Sequence, residues 1–92
     1  MTYVYLLRSV ERGVIYIGAT GDLRQRVKAH HDGRCQTTRR YLPMELIYYE
    51  AFRDARDAWV REHTLKQYGG AYRGLMRRIK NTAGIPAAGR AG

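Results

Sequence analysis

Five side chains in this sequence are of the types that handle phosphate: Tyr5, Tyr16, Arg26, His30 and Glu62. An arginine can neutralise charge developing on a phosphate, and a tyrosine or histidine can move a proton. A lone carboxylate suits one Mg²⁺, which keeps most of its waters and takes phosphate oxygens as further ligands. Glu62 is the sharpest anomaly. It interrupts an apolar helical stripe of Ala55, Ala58, Trp59 and Leu65, where an uncompensated carboxylate is costly. Each residue also has an ordinary explanation. Tyrosines are commonly strand residues with a wet hydroxyl, Arg26 and His30 suit an exposed helix face, and Glu62 can pair with Lys66 one turn on. Together the five compose a site able to act on a phosphodiester.

The elements that must position them begin with the stretch from Tyr3 to His30. Tyr3 to Leu7 and Val14 to Ile17 are β-branched and aromatic runs, and Ser9 to Gly13 reads as a hairpin loop. With residues 10–13 as that loop, Ser9 faces Val14 and Tyr5 faces Gly18. Tyr16 then lies diagonally from Tyr5 on one face. Thr20, Gly21 and Asp22 supply a turn and a cap for the helix LRQRVKAHH, which ends at Gly33. Leu23 and Val27 face the sheet, and Arg26 and His30 stack on the adjacent stripe.

Residues 33–43 form a long basic loop ending at Pro43, and Glu45 to Phe52 alternate as a third strand. A helix capped by Asp54 runs from Ala55 to Tyr68 and stops at Gly69-Gly70. A last helix, Ala71 to about Lys80, turns Tyr72, Leu75, Met76 and Ile79 inward. From Asn81 the chain is Gly, Ala and Pro with almost no large apolar side chain. The expectation is an α+β fold of order β-β-α-β-α-α, a three-stranded antiparallel sheet flanked by helices. One domain spans residues 1–80, and residues 81–92 form a flexible C-terminal tail.

Ninety-two residues allow one domain, and a 45% hydrophobic fraction belongs to a folded chain. A net charge of +9 implies a polyanionic partner, most often nucleic acid. No apolar run approaches a membrane span of roughly 20 residues. The first residues carry no basic-then-apolar leader pattern and enter a strand almost at once. The single cysteine, Cys35, excludes an intramolecular disulfide, and a Cys/His zinc cage lacks ligands at usable spacing. These features point to a cytoplasmic setting. The loop residues Thr37, Thr38, Arg39 and Arg40, with Arg24, Lys28 and Lys66, are expected to form a rim that grips the nucleic-acid backbone. No base-reading helix or finger is present, so strong sequence specificity is not expected.

The run YVYLL, then YIG at Tyr16-Ile17-Gly18, then LRQRVKAH resembles the GIY-YIG nuclease family. The later strand PMELIYYEAF and the helix carrying Arg61-Glu62 and Leu65-Lys66 extend the likeness over roughly Thr2 to Lys66. Its size most resembles the small stand-alone single-domain bacterial members. The resemblance implies an endonuclease using a single Mg²⁺ or Mn²⁺. By position, Tyr5 matches the likelier general base and Tyr16 the tyrosine that holds water or phosphate. Arg26 matches the arginine on the scissile phosphate, His30 a histidine handling a proton or phosphate, and Glu62 the sole protein metal ligand. Gly18 is expected to let the backbone turn tightly beside them. The chain departs from the family in reading Tyr3-Val4-Tyr5 where Gly-Ile-Tyr is usual. It also offers only Asn81 in place of a late asparagine, whose role is not carried over.

Two function classes follow. The first is hydrolysis of DNA phosphodiester bonds in single-stranded or branched DNA, of a repair or recombination type. The second is a non-catalytic module that binds DNA or RNA with the same fold. A protein partner that supplies substrate targeting fits either.

Overall fold

The structure, a computed structural model, describes residues 1–84. Strands β1 (Thr2–Ser9), β2 (Ile15–Thr20) and β3 (Met44–Phe52) form one antiparallel sheet in the order β2-β1-β3. Helix α1 (Leu23–His31) follows β2, and a 3-10 turn (Arg39–Tyr41) precedes β3. Helices α2 (Ala55–Gln67), α3 (Gly69–Arg78) and α4 (Lys80–Ala83) close the described chain. The α+β architecture is the one expected.

β1 is the middle strand, paired along both edges, and helices cover both of its faces. Val4, Tyr5, Leu6 and Leu7 are each exposed by 1% or less, which explains an apolar run without polar alternation. Alternate residues point to opposite sides. Val4 and Leu6 pack with Ala58, Leu65, Leu75, Met76 and Ala83 beneath α2, α3 and α4. Tyr5 and Leu7 pack with Met44, Leu23, Val27 and Tyr41 beneath α1 and the 3-10 turn. The hairpin register is the one its loop length dictates: Tyr5 lies opposite Gly18, and Ser9 N–H donates to Val14 C=O at 2.8 Å. Gly13 closes the loop at φ 70°, a conformation that glycine adopts without steric cost.

Helices α1 and α2 each start on an aspartate. Asp22 Oδ1 accepts from Gln25 N–H at 3.1 Å and Asp54 Oδ1 from Arg56 N–H at 2.9 Å, each satisfying a donor that the helix leaves unpaired. The rotation of α2 is set by Arg61, whose guanidinium forks onto Glu50 of β3 at 3.0 and 2.8 Å. Burial alone would raise the Glu50 carboxyl, but Arg61 and the Tyr48 hydroxyl hold it below the usual range.

The helical part differs from expectation in three places. The inward line of α2 runs through Ala58, Glu62 and Leu65, whereas Ala55 is exposed and Trp59 is 59% exposed. Trp59 follows Ala58 by one residue, about 100° around the helix, and stacks on His63 with ring centroids 3.9 Å apart. Gly69 and Gly70 do not form a spacer; they are the first turn of α3, joined to α2 through Tyr68 alone. Finally, the residues after Lys80 form a helical turn whose Ala83 is fully buried. The rest of the expected tail, residues 85–92, lies outside the described residues.

Candidate active site

The α1 face of the sheet holds a chain of three buried polar groups. Tyr5 Oη lies 2.9 Å from His30 Nε2, and His30 Nδ1 lies 2.7 Å from Thr38 Oγ1. His30 is 0% and Thr38 1% exposed. Burial pushes the Tyr5 phenol up to about 12, although the Arg26 guanidinium beside it acts in the opposite direction. Burial also lowers the His30 imidazole, helped by the charges of Arg26 and His31. Near neutral pH both groups are therefore uncharged. With Tyr5 O–H donating to Nε2, the ring proton sits on Nδ1 and is donated to Thr38.

Tyr16 completes this group. Its ring centroid is 6.2 Å from that of Tyr5 and 5.0 Å from that of His30. Opposite Tyr5, a Cβ on Gly18 would lie 2.5 Å from Tyr5 Oη and 2.9 Å from Tyr16 Cε2. Gly18 has no positive φ, so the expected backbone turn is not its role. It leaves room for the two rings.

Arg26, one helical turn before His30, is exposed. Its interaction with the Tyr5 hydroxyl, joined by one with Tyr16, strengthens its hold on its proton. Its Nη2 lies 3.9 Å from Cys35 Sγ. Burial would raise the Cys35 thiol, but bonds with Thr38 and Thr37 and the charge of Arg26 bring it below its ordinary value. Arg26 opens into a groove of about 410 Å³ lined also by Gln25 and Arg34. The groove thus holds two guanidinium groups together with the Asp22 carboxylate.

Glu62 stands apart from these four. It belongs to α2, which covers the other face of the sheet. Its side chain is 15% exposed and accepts from Lys66 Nζ at 2.8 Å. The connection to the tyrosines runs around the edge of β2, where Tyr16 and Lys66 line one groove of about 410 Å³. Among the described residues no group of three or more His, Cys, Asp or Glu is arranged to hold a metal. A single partly open carboxylate still fits an ion that keeps most of its waters, provided the Lys66 ammonium moves aside.

Of the expected rim, Arg24, Lys28, Thr37, Arg39, Arg40 and Lys66 are exposed. Lys28 is paired with Asp32 at 2.9 Å. Thr38 is the correction: it is inside the fold as the partner of His30, so it cannot lie on the rim. Nothing local in the sequence marks that contact, because it joins a helix end to the middle of an irregular loop.

A family model described as the GIY-YIG catalytic domain matches residues 1–76. The chain is 38% identical over 68 residues to a UPF0213 protein of Clostridium perfringens, covering 73% of this chain and 72% of the relative. It is 36% identical over 66 residues to a UPF0213 protein of Streptococcus agalactiae, covering 71% and 74%. For one of Bacillus pumilus the identity is 36% over 67 residues, covering 72% and 67%. No solved structure matches significantly. The three-stranded antiparallel sheet with flanking helices is consistent with the family match, which is to a nuclease-type domain. The chain belongs to the GIY-YIG family.

Proposed function

We propose that the protein is a divalent-metal-dependent endonuclease that hydrolyses phosphodiester bonds in single-stranded or branched DNA, as in repair or recombination. One observation carries this reading. Tyr5 and Tyr16 flank a buried His30 bonded to Tyr5 Oη at 2.9 Å, and the Arg26 guanidinium, one helical turn away, interacts with both phenols. Attachment to nucleic acid requires no such arrangement.

In this reading Arg26 receives the scissile phosphate and offsets the charge that builds on it. Tyr5, a phenol at neutral pH, acts as general base only by releasing its own proton as it takes one from water. His30 Nε2, at 2.9 Å, is placed to accept that proton, and Thr38 keeps the ring in the receptive tautomer. Tyr16 orients water or phosphate from the β2 edge. Glu62 would hold one Mg²⁺ or Mn²⁺, which when bound supplies charge stabilisation to phosphate oxygens. Arg24, Lys28, Thr37, Arg39, Arg40 and Lys66 would steer the backbone through phosphate contacts.

A second reading has its own support. Glu62 is satisfied by Lys66 at 2.8 Å, so a module that binds DNA or RNA without cutting it needs no metal there. An assay across single-stranded, duplex, flap and junction DNA with Mg²⁺ or Mn²⁺ separates the two. Nicking that is lost in Glu62→Ala supports the nuclease. Binding with no nicking under any metal supports the module.

A further inference from the structure

A hydrogen bond between two loops distant in the chain brings two arginines to one aromatic ring. Val10 N–H, in the hairpin loop, donates to Pro43 C=O just before β3 at 2.9 Å. Beside that joint the Arg12 guanidinium lies 5.7 Å and the Arg40 guanidinium 5.0 Å from the centroid of the Tyr41 ring. Each contact is a cation–π attraction. The two like charges nevertheless repel, and among the described residues neither guanidinium is paired with a carboxylate.

The ring itself is anchored. Tyr41 is partly buried against Tyr5, Leu7 and Met44, and its 3-10 turn begins just after Thr38, the partner of His30. Two loops are thus tied together to hold uncompensated positive charge on Tyr41, a ring three residues after Thr38 of the buried Tyr5–His30–Thr38 chain.

We propose that Arg12 and Arg40, stacked on Tyr41, form a clamp that takes one backbone phosphate each from a nucleic-acid strand. A guanidinium lying on a ring keeps its N–H donors in a fixed plane, which suits bidentate phosphate contact better than a free lysine does. A nucleic-acid backbone is the occupant that the charge favours, since it supplies an anion for each cation on a chain of net charge +9. A protein surface without acidic groups would bury both cations unpaired. This site rests on the nucleic-acid reading given above, but it is tested by binding and not by cleavage.

The experiment is anisotropy of a labelled single-stranded oligonucleotide with the Glu62→Gln protein in EDTA, titrated across sodium chloride concentrations. Arg12→Gln and Arg40→Gln are each expected to lower the slope of log affinity against log salt by about 0.7, and the double variant by about 1.4. A slope of that size corresponds to roughly fourfold weaker binding per site near 0.15 M salt. Tyr41→Phe keeps the ring and is expected to bind normally. Tyr41→Leu, folded by circular dichroism, is expected to bind more weakly although no charge is removed. A double variant with unchanged slope overturns the clamp, as does a loss no larger than that of the exposed control Arg77→Gln on α3. Folded Tyr41→Leu binding as tightly as the parent also overturns it. Should the protein never cut DNA while these slopes fall as expected, the clamp stands and the nuclease reading alone fails.

Discussion

Replacing Gly18 by alanine tests the packing of the site with a single methyl group. The added Cβ would sit 2.5 Å from Tyr5 Oη, 2.6 Å from Tyr5 Cζ and 2.9 Å from Tyr16 Cε2. These are parts of rigid rings, and Tyr5 is 1% exposed, so neither ring can swing into solvent without opening the core. Overpacking of this kind costs about 1–3 kcal/mol. Displacing Tyr5 also breaks its bond to His30, leaving a buried nitrogen unpaired at a further cost of about 1–3 kcal/mol. The expected loss is about 2–6 kcal/mol, read by urea denaturation followed by circular dichroism. Gly21→Ala is the control, because its Cβ would meet nothing within 4 Å and its φ is not positive; it is expected to be neutral or slightly stabilising. In a Tyr5→Leu background, which removes the ring, the Gly18→Ala penalty should fall well below its value in the parent. A Gly18→Ala protein as stable as the parent would refute the packing that places Tyr5 over the strand.

Thr38→Val keeps the shape of the side chain but strands the His30 Nδ1 proton, and should cost about 1–3 kcal/mol in the same denaturation assay; a change below about 0.5 kcal/mol contradicts the buried chain. Two of the groups through which stability should depend on pH belong to this buried chain. His30 is lowered from 6.5 in the fold, so below about 6.5 the unfolded chain binds a proton that the folded chain refuses. Stability then falls as pH drops through that value toward the folded one. Tyr5 is raised from 10.0 to about 12, so between those values the unfolded chain loses a proton that the folded chain keeps, and stability falls as pH rises. Urea midpoints measured across pH should show both limbs, the acid limb flattened in His30→Gln and the alkaline limb in Tyr5→Phe.

The sheet was legible because its signals are local. Loop length and Gly13 pin the hairpin register, and that register puts Tyr5 opposite Gly18 and Tyr16 beside them. Glu62 stands out for a related reason, as a carboxylate on the line of Ala58 and Leu65, which does turn inward, whereas Ala55 and Trp59 of the expected stripe do not. Trp59 departs from the expected stripe because bulk does not ensure burial: the Arg61–Glu50 fork fixes the rotation of α2 and leaves the indole outside. Ala83 is the converse case: a small side chain carries little apolar signal, yet it packs fully into the core. Thr38, Arg12 and Tyr41 take their surroundings from contacts between separate loops, and no periodicity in the chain records those.

The nuclease reading requires Glu62 as its one metal-holding group, and single-turnover cleavage of one flap DNA with parallel binding measurements tests that requirement directly. The parent protein should nick the substrate only with Mg²⁺ or Mn²⁺ present, and Glu62→Gln should bind the DNA comparably while nicking it at least a hundredfold more slowly, on the order expected for losing an electrostatic catalytic group. Equal nicking by the Glu62→Gln protein, or nicking by the parent in EDTA, would contradict it.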